Sequence, residues 1–388
     1  MLQRLFIFLL IFLILPDIYL YLRFIVHLTA RRWLKILYWL PTFLLSTGLL
    51  YLVYFSNNAF AERHTQDIGW FSIFFFLFTA PKLLLFLCTV IGIPFHKWLR
   101  WPRTPFICTG LTLAVVSIVM IIYGSFIGRT QFDVKEVTYS SSKLPSSFDG
   151  YRIVQLSDIH IGSWQGNASA IQNLVNLVNE QHPDLIAFTG DLVNHRAIEL
   201  NDFQHILAGL KAKDGVYSIL GNHDYGPYFR WKNKQEQDDN LSALQQRQAA
   251  MGWKLLNNSH TILIQGNDSI ALIGVENEGE PPFSQYADLP KAMQGTEGMF
   301  QILLSHNPTH WRREVLPESD IDLMLAGHTH AMQLKLGNYS PSSYIYPEWS
   351  GMYLEGTRGL YVNVGIGYVG LPFRFGAWPE ITVLTLRR

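Results

Sequence analysis

Hydrophobic residues in the first third of the chain are gathered into four long runs. These runs cover residues 5–22, with a continuation to 28 beyond Arg23, and residues 36–55, 70–93 and 106–127. Each approaches or exceeds the roughly 20 residues that an α-helix needs to cross the hydrocarbon core of a bilayer. One such run could be a buried core helix or a signal peptide, but four in series are typical of membrane spans. We therefore expect residues 1–129 to form a transmembrane region of four helices.

The pattern of hydrophobic and polar positions changes after the fourth run. Residues 130–150 contain no long apolar run and are richer in Ser, Pro and Gly, which predicts a linker. Beyond it, short apolar segments predict strands at 151–156, 184–188, 216–220, 261–265, 270–275, 300–304, 322–326, 360–364 and 381–386. Helical periodicity predicts helices at 168–181 and 198–212. The alternation of strands and helices predicts an α/β domain over 151–388, with its sheets covered by helices.

The charged residues divide in the same way as the hydrophobic pattern. Only 15% of the chain is charged, against about 25% in soluble proteins, which supports a lipid-embedded region. Residues 130–388 carry 19 basic and 27 acidic residues. A domain with this excess of acid would repel a phosphodiester polymer, so we expect no nucleic-acid partner. The two cysteines, Cys88 and Cys108, both lie in apolar runs, so neither a disulfide framework nor a cysteine zinc site is expected.

Basic residues are distributed unequally among the connections between the spans. The first connection carries Arg23, Arg31, Arg32 and Lys35, and the third carries Lys97, Arg100 and Arg103. The second carries only Arg63, accompanied by Glu62 and Asp67. The positive-inside rule places the first and third connections in the cytoplasm. We therefore expect both chain ends, and the α/β domain, on the outer face of a bacterial cytoplasmic membrane, periplasmic or extracellular.

Two charged residues fall inside the predicted spans. Lys82 follows Pro81 in the third span, and Asp17 follows Pro16 in the first. Charges at this depth are costly and are usually paired. Asp17 is therefore a possible partner for Lys82. We favour a simpler interpretation, in which Lys82 extends its ammonium group toward the membrane surface or the span boundaries differ from those given above.

Polar residues of ligand type follow five of the predicted strands. The segments are Asp158-Ile159-His160, Gly190-Asp191, Gly221-Asn222-His223-Asp224, Ser305-His306-Asn307 and Gly327-His328-Thr329-His330. Any one of them could be an ordinary turn. In α/β folds, however, ligands bind beyond the carboxyl ends of the strands, where these segments would meet. A mixture of oxygen and imidazole donors suits Mn, Fe or Zn better than Ca or Mg. The ordered set therefore predicts a transition-metal site.

This ordered set of motifs resembles the calcineurin-like metallophosphoesterase superfamily over roughly residues 150–388. Within that superfamily the chain is similar to the membrane-associated YkuE/YaeI-like type, transmembrane proteins with a metallophosphoesterase domain. The later stretches Asn363–Gly367, Gly370–Gly376 and Pro379–Thr382 strengthen this closer resemblance. Ala331 and Met332 stand where such members often have two glycines, so substrate access could differ while no metal ligand is lost. The resemblance implies two packed β-sheets flanked by helices.

The resemblance also implies a centre of two divalent transition-metal ions. Asp158, His160 and His330 would hold the first ion, and Asn222, His306 and His328 the second. Asp191 would bridge both ions, because a carboxylate has two oxygens. A hydroxide shared by the ions would attack phosphorus. His223 would contact the phosphate or protonate the leaving oxygen, and Asp224 would orient His223.

Two stretches of the predicted α/β domain are rich in aromatic residues. Residues 225–234 and 339–358 are rich in Tyr and Trp, and either contact a lipid-linked substrate or pack within the protein.

The favoured function is a membrane-anchored hydrolase of phosphate mono- or diesters that acts on a lipid or envelope-associated substrate. One alternative is a UDP-2,3-diacylglucosamine pyrophosphatase-like step in lipid A synthesis, with the domain in the cytoplasm. The other is a metal-binding receptor or scaffold without catalysis.

Overall fold

The computed structural model describes residues 2–55 and 65–388. Its contacts divide the chain into two compact units. One contains residues 1–127 and 371–373, and the other contains residues 128–370 and 374–388.

The first unit consists of four long apolar helical segments, as the hydrophobic runs predict. Its helices are α1 (Leu2–Leu20), α2 (Val26–Leu28), α3 (Arg32–Phe55), α4 (Thr65–Leu99) and α5 (Thr104–Phe126). A π-helical turn, Tyr21–Ile25, joins α1 to α2 without a break. Four segments are long and apolar enough to cross a membrane. Helices satisfy their own backbone hydrogen bonds, which is what a span in lipid requires.

An ion pair joins the first and third spans. Lys82 Nζ lies 2.8 Å from Asp17 Oδ1, and the Asp17 side chain is fully buried. The Tyr38 hydroxyl donates to the Asp17 carbonyl oxygen at 3.0 Å, and the Thr42 hydroxyl donates to Asp17 Oδ2. The interpretation that Lys82 extends to the membrane surface is therefore wrong. Pairing inside the bundle costs less than separating two charges in lipid.

The second unit is an α/β domain with twelve strands among the residues described. They are β1 (Asp133–Ser140), β2 (Arg152–Leu156), β3 (Leu185–Phe188), β4 (Val216–Ser218), β5 (Lys254–Leu255), β6 (Ser259–Gln265), β7 (Asp268–Gly274), β8 (Phe300–Leu304), β9 (Leu323–Ala326), β10 (Gly351–Glu355), β11 (Arg358–Val362) and β12 (Glu380–Arg387). Its α-helices are α6 (Ala168–Glu180), α7 (Gln204–Leu207), α8 (Lys234–Ala250), α9 (Leu289–Met293) and α10 (Leu316–Glu318).

The twelve strands form two six-stranded mixed sheets. Their orders are β1-β12-β2-β3-β4-β5 and β10-β11-β9-β8-β7-β6. Strands β2, β3 and β4 are parallel, as are β7, β8 and β9. Residues such as Ile153, Leu185, Leu272 and Leu323 from the two sheets share one buried cluster, so the sheets pack face to face. Helix α6 covers the outer face of the first sheet through Ile171, Leu174 and Val178.

Two predicted segments differ in the structure. Residues 133–140, within the predicted linker, form β1, which pairs in parallel with β12 over its full length. Only residues 127–132 therefore separate the end of α5 from the first strand. Residues 198–212 form a 3₁₀ turn and the four-residue helix α7 rather than one helix. The backbone of Phe203, with φ of −122°, leaves helical geometry between the two.

Candidate metal centre

The carboxyl ends of five strands bring the predicted ligands together. Three groups have their ligand atoms within 4.8 Å of one another: Asp158, His160 and His330; His160, Asp191 and His223; and Asp191, His306 and His328. These residues follow β2, β3, β4, β8 and β9, and most are fully or almost fully buried. The strand ends thus bring together residues that lie up to 172 positions apart in the sequence, as Asp158 and His330 do.

The backbone at these strand ends bends in a way that few residues adopt. Five of the predicted ligands have a left-handed backbone, with φ between 45° and 72°: Asp158, His160, Asp191, His328 and His330. Such conformations are uncommon outside glycine and gather at functional sites. Gly221 and Gly327 are needed for close approach, since a Cβ on either would collide with Asp191 Oδ1 or Ser157 Oγ, respectively. These left-handed backbone conformations turn the side chains of several donors toward the same cluster.

The first group combines one carboxylate and two imidazoles. His330 Nε2 lies 3.2 Å from Asp158 Oδ1 and 3.1 Å from His160 Nε2. Burial favours the neutral acid, but the nearby His330, His306 and His160 outweigh it and hold the pKa of Asp158 well below its usual value. Burial, reinforced by His223, lowers the pKa of His160, which favours the neutral imidazole that metals bind.

The second group is arranged around Asp191. His306 Nε2 lies 3.2 Å from Asp191 Oδ2 and 3.3 Å from His328 Nδ1. His306 Nδ1 donates to the Thr189 carbonyl oxygen at 2.7 Å, which leaves Nε2 facing the cluster. Burial opposes a charged His306, but the Asp191 carboxylate raises its pKa to about 9. The site therefore attracts positive charge strongly, as a cation site should.

Asn222 supplies a further oxygen donor. It is 2% exposed, its Nδ2 donates to the Tyr228 hydroxyl at 3.0 Å, and its Oδ1 has no hydrogen-bond partner among the described residues. A buried amide oxygen without a partner is unfavourable unless something else coordinates it. Three residues with oxygen donors and four imidazoles form a set that fits Mn, Fe or Zn.

His223 and Asp224 lie beside the cluster, but they do not interact as predicted. His223 Nδ1 lies 2.7 Å from the Asn194 carbonyl oxygen, and the His223 backbone nitrogen donates to Asp191 Oδ1 at 2.8 Å. Asp224 instead accepts from four backbone nitrogens, those of Asp191, Leu192, Val193 and Gly221. Burial and the Asp191 charge raise the pKa of Asp224 to about 7. The prediction that Asp224 orients His223 is therefore wrong, because the Asn194 carbonyl fills that role and Asp224 organises the Asp191 loop.

Three aromatic side chains that motif reasoning did not assign to the site stand beside the candidate ligands. The Tyr346 hydroxyl lies 3.1 Å from His328 Nε2, and the Phe283 ring meets the His328 ring edge-on at 4.6 Å. The Tyr228 ring lies 4.4 Å from that of His223 and is half exposed. Tyr228 and Tyr346 come from the two aromatic stretches noted in the sequence. Phe283 gave no signal there, because it lies outside both stretches and outside every motif.

A buried arginine, Arg374, holds one of the candidate ligands. It is fully buried, and its Nη2 donates to His330 Nδ1 at 3.0 Å. Its other donors reach the carbonyl oxygens of Val364, Gly367 and Ala377 at 2.7–2.9 Å. A guanidinium only donates, so it fixes the orientation of the His330 ring. Burial lowers the pKa of Arg374 to about 10, so it stays charged at neutral pH.

Two family models match separate parts of the chain. The family model described as "Calcineurin-like phosphoesterase" matches residues 151–332, and that described as "Probable Calcineurin-like phosphoesterase, transmembrane domain" matches residues 3–129. Among solved structures, a dimetal phosphatase from Danio rerio has a TM-score of 0.34 and 12% identity, over 56% of this chain and 88% of that one.

Three curated relatives show how far the sequence similarity extends. A "Transmembrane protein with metallophosphoesterase domain" from Danio rerio is 32% identical over 71% of this chain, which spans 62% of that protein. The "Uncharacterized metallophosphoesterase YkuE" of Bacillus subtilis is 31% identical over 68% of this chain and 89% of its own length. "Phosphodiesterase YaeI" of Escherichia coli is 29% identical over 61% of this chain and 82% of its own length. The chain therefore belongs to the calcineurin-like phosphoesterase family, in a form that also carries four transmembrane helices.

Proposed function

We propose that this membrane protein is a two-metal hydrolase that cleaves phosphate esters of lipid-linked or envelope molecules outside the cytoplasm. The observation that carries the proposal is the clustering of seven Asp and His side chains in three overlapping groups, each with its ligand atoms within 4.8 Å of one another. Family membership makes the chain a metal-dependent phosphoesterase.

The chain's own residues would divide the work between two ion positions. Asp158, His160 and His330 would hold one ion, Asn222, His306 and His328 the other, and Asp191 would contact both. Two divalent ions bound there would act as Lewis acids on the phosphate and supply an activated water. The left-handed strand ends hold the donors in place beforehand, so little reorganisation accompanies binding.

His223 is the residue placed to move a proton. Its Nδ1 faces the Asn194 carbonyl, which only accepts, so Nδ1 carries a hydrogen and Nε2 is left to exchange a proton. The His223 ring meets the His160 ring edge-on at 4.7 Å, which places it directly beside the cluster. We therefore assign His223 as the general acid that protonates the leaving oxygen.

Several observations support a membrane-associated substrate. Four apolar helices accompany the domain, and only residues 127–132 connect them to its first strand. Tyr346 contacts His328, and the adjacent Tyr344 and Ile345 are 80% and 59% exposed. Aromatic side chains of this kind favour membrane interfaces. The name of the YaeI relative makes a phosphodiester the first ester to test.

The test uses purified full-length protein, Mn²⁺ and a nitrophenyl phosphodiester. We expect turnover by the wild type of this ester and of an alkyl phosphodiester, and a loss of about 10²–10⁴-fold in His223→Asn on the alkyl ester, with the metal content unchanged. The loss should be smaller for nitrophenolate than for an alkyl leaving group, which needs protonation more. Loss of metal in His223→Asn with normal turnover per bound ion would refute the acid role. No turnover by metal-loaded wild type with Mn, Fe, Zn or Co would favour the receptor or scaffold hypothesis.

A further inference from the structure

The first unit contains a cavity that is unrelated to the metal centre. It has a volume of about 250 Å³ and lies between the end of α1, the π-helical turn, α4 and the start of α5. Arg23 and Arg103 line it, and Tyr19, Phe24, Ile93 and Phe106 supply apolar and aromatic walls. The two arginines belong to the first and third connections, the basic end of the bundle.

The walls of the cavity are built by close helix packing. The Tyr19 ring meets the Phe86 ring edge-on at 5.1 Å, which fixes α1 against α4. Gly92 allows α5 to approach α4, since a Cβ there would lie 2.8 Å from Phe106 Cγ. Arg23 lies within the π-helical turn, a feature that often marks a functional position. The cavity is therefore enclosed by the packing of α1 and α5 against α4.

The sequence places few carboxylates near the positive charge at this end of the unit. The sequence has no Asp or Glu between residues 18 and 61 or between 68 and 132. Asp17 is already paired with Lys82. Among the residues that the structure describes, neither Arg23 nor Arg103 forms an ion pair with a carboxylate. An anion from outside the chain would supply the missing charge.

We propose that this cavity binds one anionic phospholipid, with its phosphate between Arg23 and Arg103. Guanidinium groups bind phosphate oxygens through paired hydrogen bonds. Helix α5 begins at Thr104, next to Arg103, so its free backbone N–H groups add to the anion-binding potential. The aromatic and aliphatic walls suit the glycerol and acyl portions, which a free phosphate lacks. Basic pockets between transmembrane helices are known to take lipid headgroups.

The test is native mass spectrometry of the detergent-purified full chain with dioleoylphosphatidylglycerol or dioleoylphosphatidylcholine. We expect selective binding of phosphatidylglycerol, and Arg23→Gln/Arg103→Gln should weaken it about 30-fold. Arg100→Gln is the control for Arg103→Gln, since each removes one charge from the third connection; Arg100 does not line the cavity, so its loss should weaken binding by less than about threefold, against about fivefold for Arg103→Gln. Arg23→Lys/Arg103→Lys keeps the charge but loses the paired donors, so its affinity should lie between that of the double glutamine variant and that of the wild type. Inorganic phosphate at the same concentration should not compete.

Several results would overturn the lipid assignment. These are equal binding of the two lipids, unchanged phosphatidylglycerol binding in the double glutamine variant, or an equal loss in Arg100→Gln. Competition by inorganic phosphate would assign the site to free phosphate instead. If the double variant does not purify, the single variants carry the test, with about fivefold weaker binding expected for each. Wild-type affinity in both single variants would then refute the proposal.

Discussion

Arg374 links the buried backbone of the domain to a candidate metal ligand. Its guanidinium donates to His330 Nδ1 and to three carbonyl oxygens, so it positions the ring without facing the cluster itself. Arg374→Met should weaken metal binding about 10–100-fold, as loss of a ligand's orienting partner commonly does. Arg374→Lys should recover part of that loss. The measurement is a metal titration of the purified full chain.

Arg358 provides the matched control for this prediction. It also donates to three carbonyl oxygens, those of Val315, Leu316 and Ile321. Arg358→Met should therefore lower thermal stability while leaving the metal affinity per folded chain unchanged. Equal loss of metal affinity in both variants would show that Arg374 acts only through folding.

For individual residues, the motifs predicted which side chains lie in the site better than they predicted the hydrogen-bond partners of those side chains. Asp158, His160 and Asp191 follow short apolar strands, and the direction of a strand fixes where its end lies. The partner of Asp224 could not be deduced in the same way. It depends on how the loop after β3 folds back, which brings Leu192 and Val193 nitrogens onto the Asp224 carboxylate. Arg374 was missed because its target, His330, lies 44 positions away and no spacing rule relates them.

At the scale of elements, the Asp17–Lys82 pair connects the spans α1 and α4. Lys82→Met should leave Asp17 without its cation inside the bundle and destabilise the unit by about 3 kcal/mol. Asp17→Asn/Lys82→Met removes both charges and should recover most of that loss. Lys97→Met, at the end of the same helix, should have little effect. Thermal melts in detergent give the comparison, and an unchanged melting temperature in Lys82→Met would contradict the structural role of the pair.

The elements that sequence patterns missed are those without a hydrophobic signature. Strand β1 has one buried position, Tyr139, and its other side chains are half-buried or exposed, so its segment resembled a linker. Helix α8 buries only Leu244 and Gln248 along 17 residues, which gives no helical periodicity. Strand β1 is stabilised by its pairing with β12, and helix α8 by the packing of its two buried residues. The buried strands β2, β3, β8 and β9 were predicted within two residues, because burial on both faces requires a continuous apolar run.

At the scale of the whole molecule, the orientation of the chain decides which substrates it meets. Seven basic residues lie in the first and third connections and one in the second. The positive-inside rule then predicts an external domain. Alkaline phosphatase fused after Arg388 should be active, and ordinary green fluorescent protein fused there should be dark. The reverse result would place the domain in the cytoplasm and make a lipid A-type precursor the leading substrate.

The central claim is that the convergent cluster is a two-metal hydrolytic centre, and metal-dependent turnover tests it most directly. The measurement is hydrolysis of a nitrophenyl phosphodiester by chelator-treated full-length protein during titration with Mn²⁺. Activity should rise until about two ions are bound per chain. Asp191→Ala should bind neither ion tightly and remain inactive, whereas Asp288→Ala, which removes an exposed helix cap, should behave as wild type. Full activity in Asp191→Ala, or two tightly bound ions in that variant, would contradict the account.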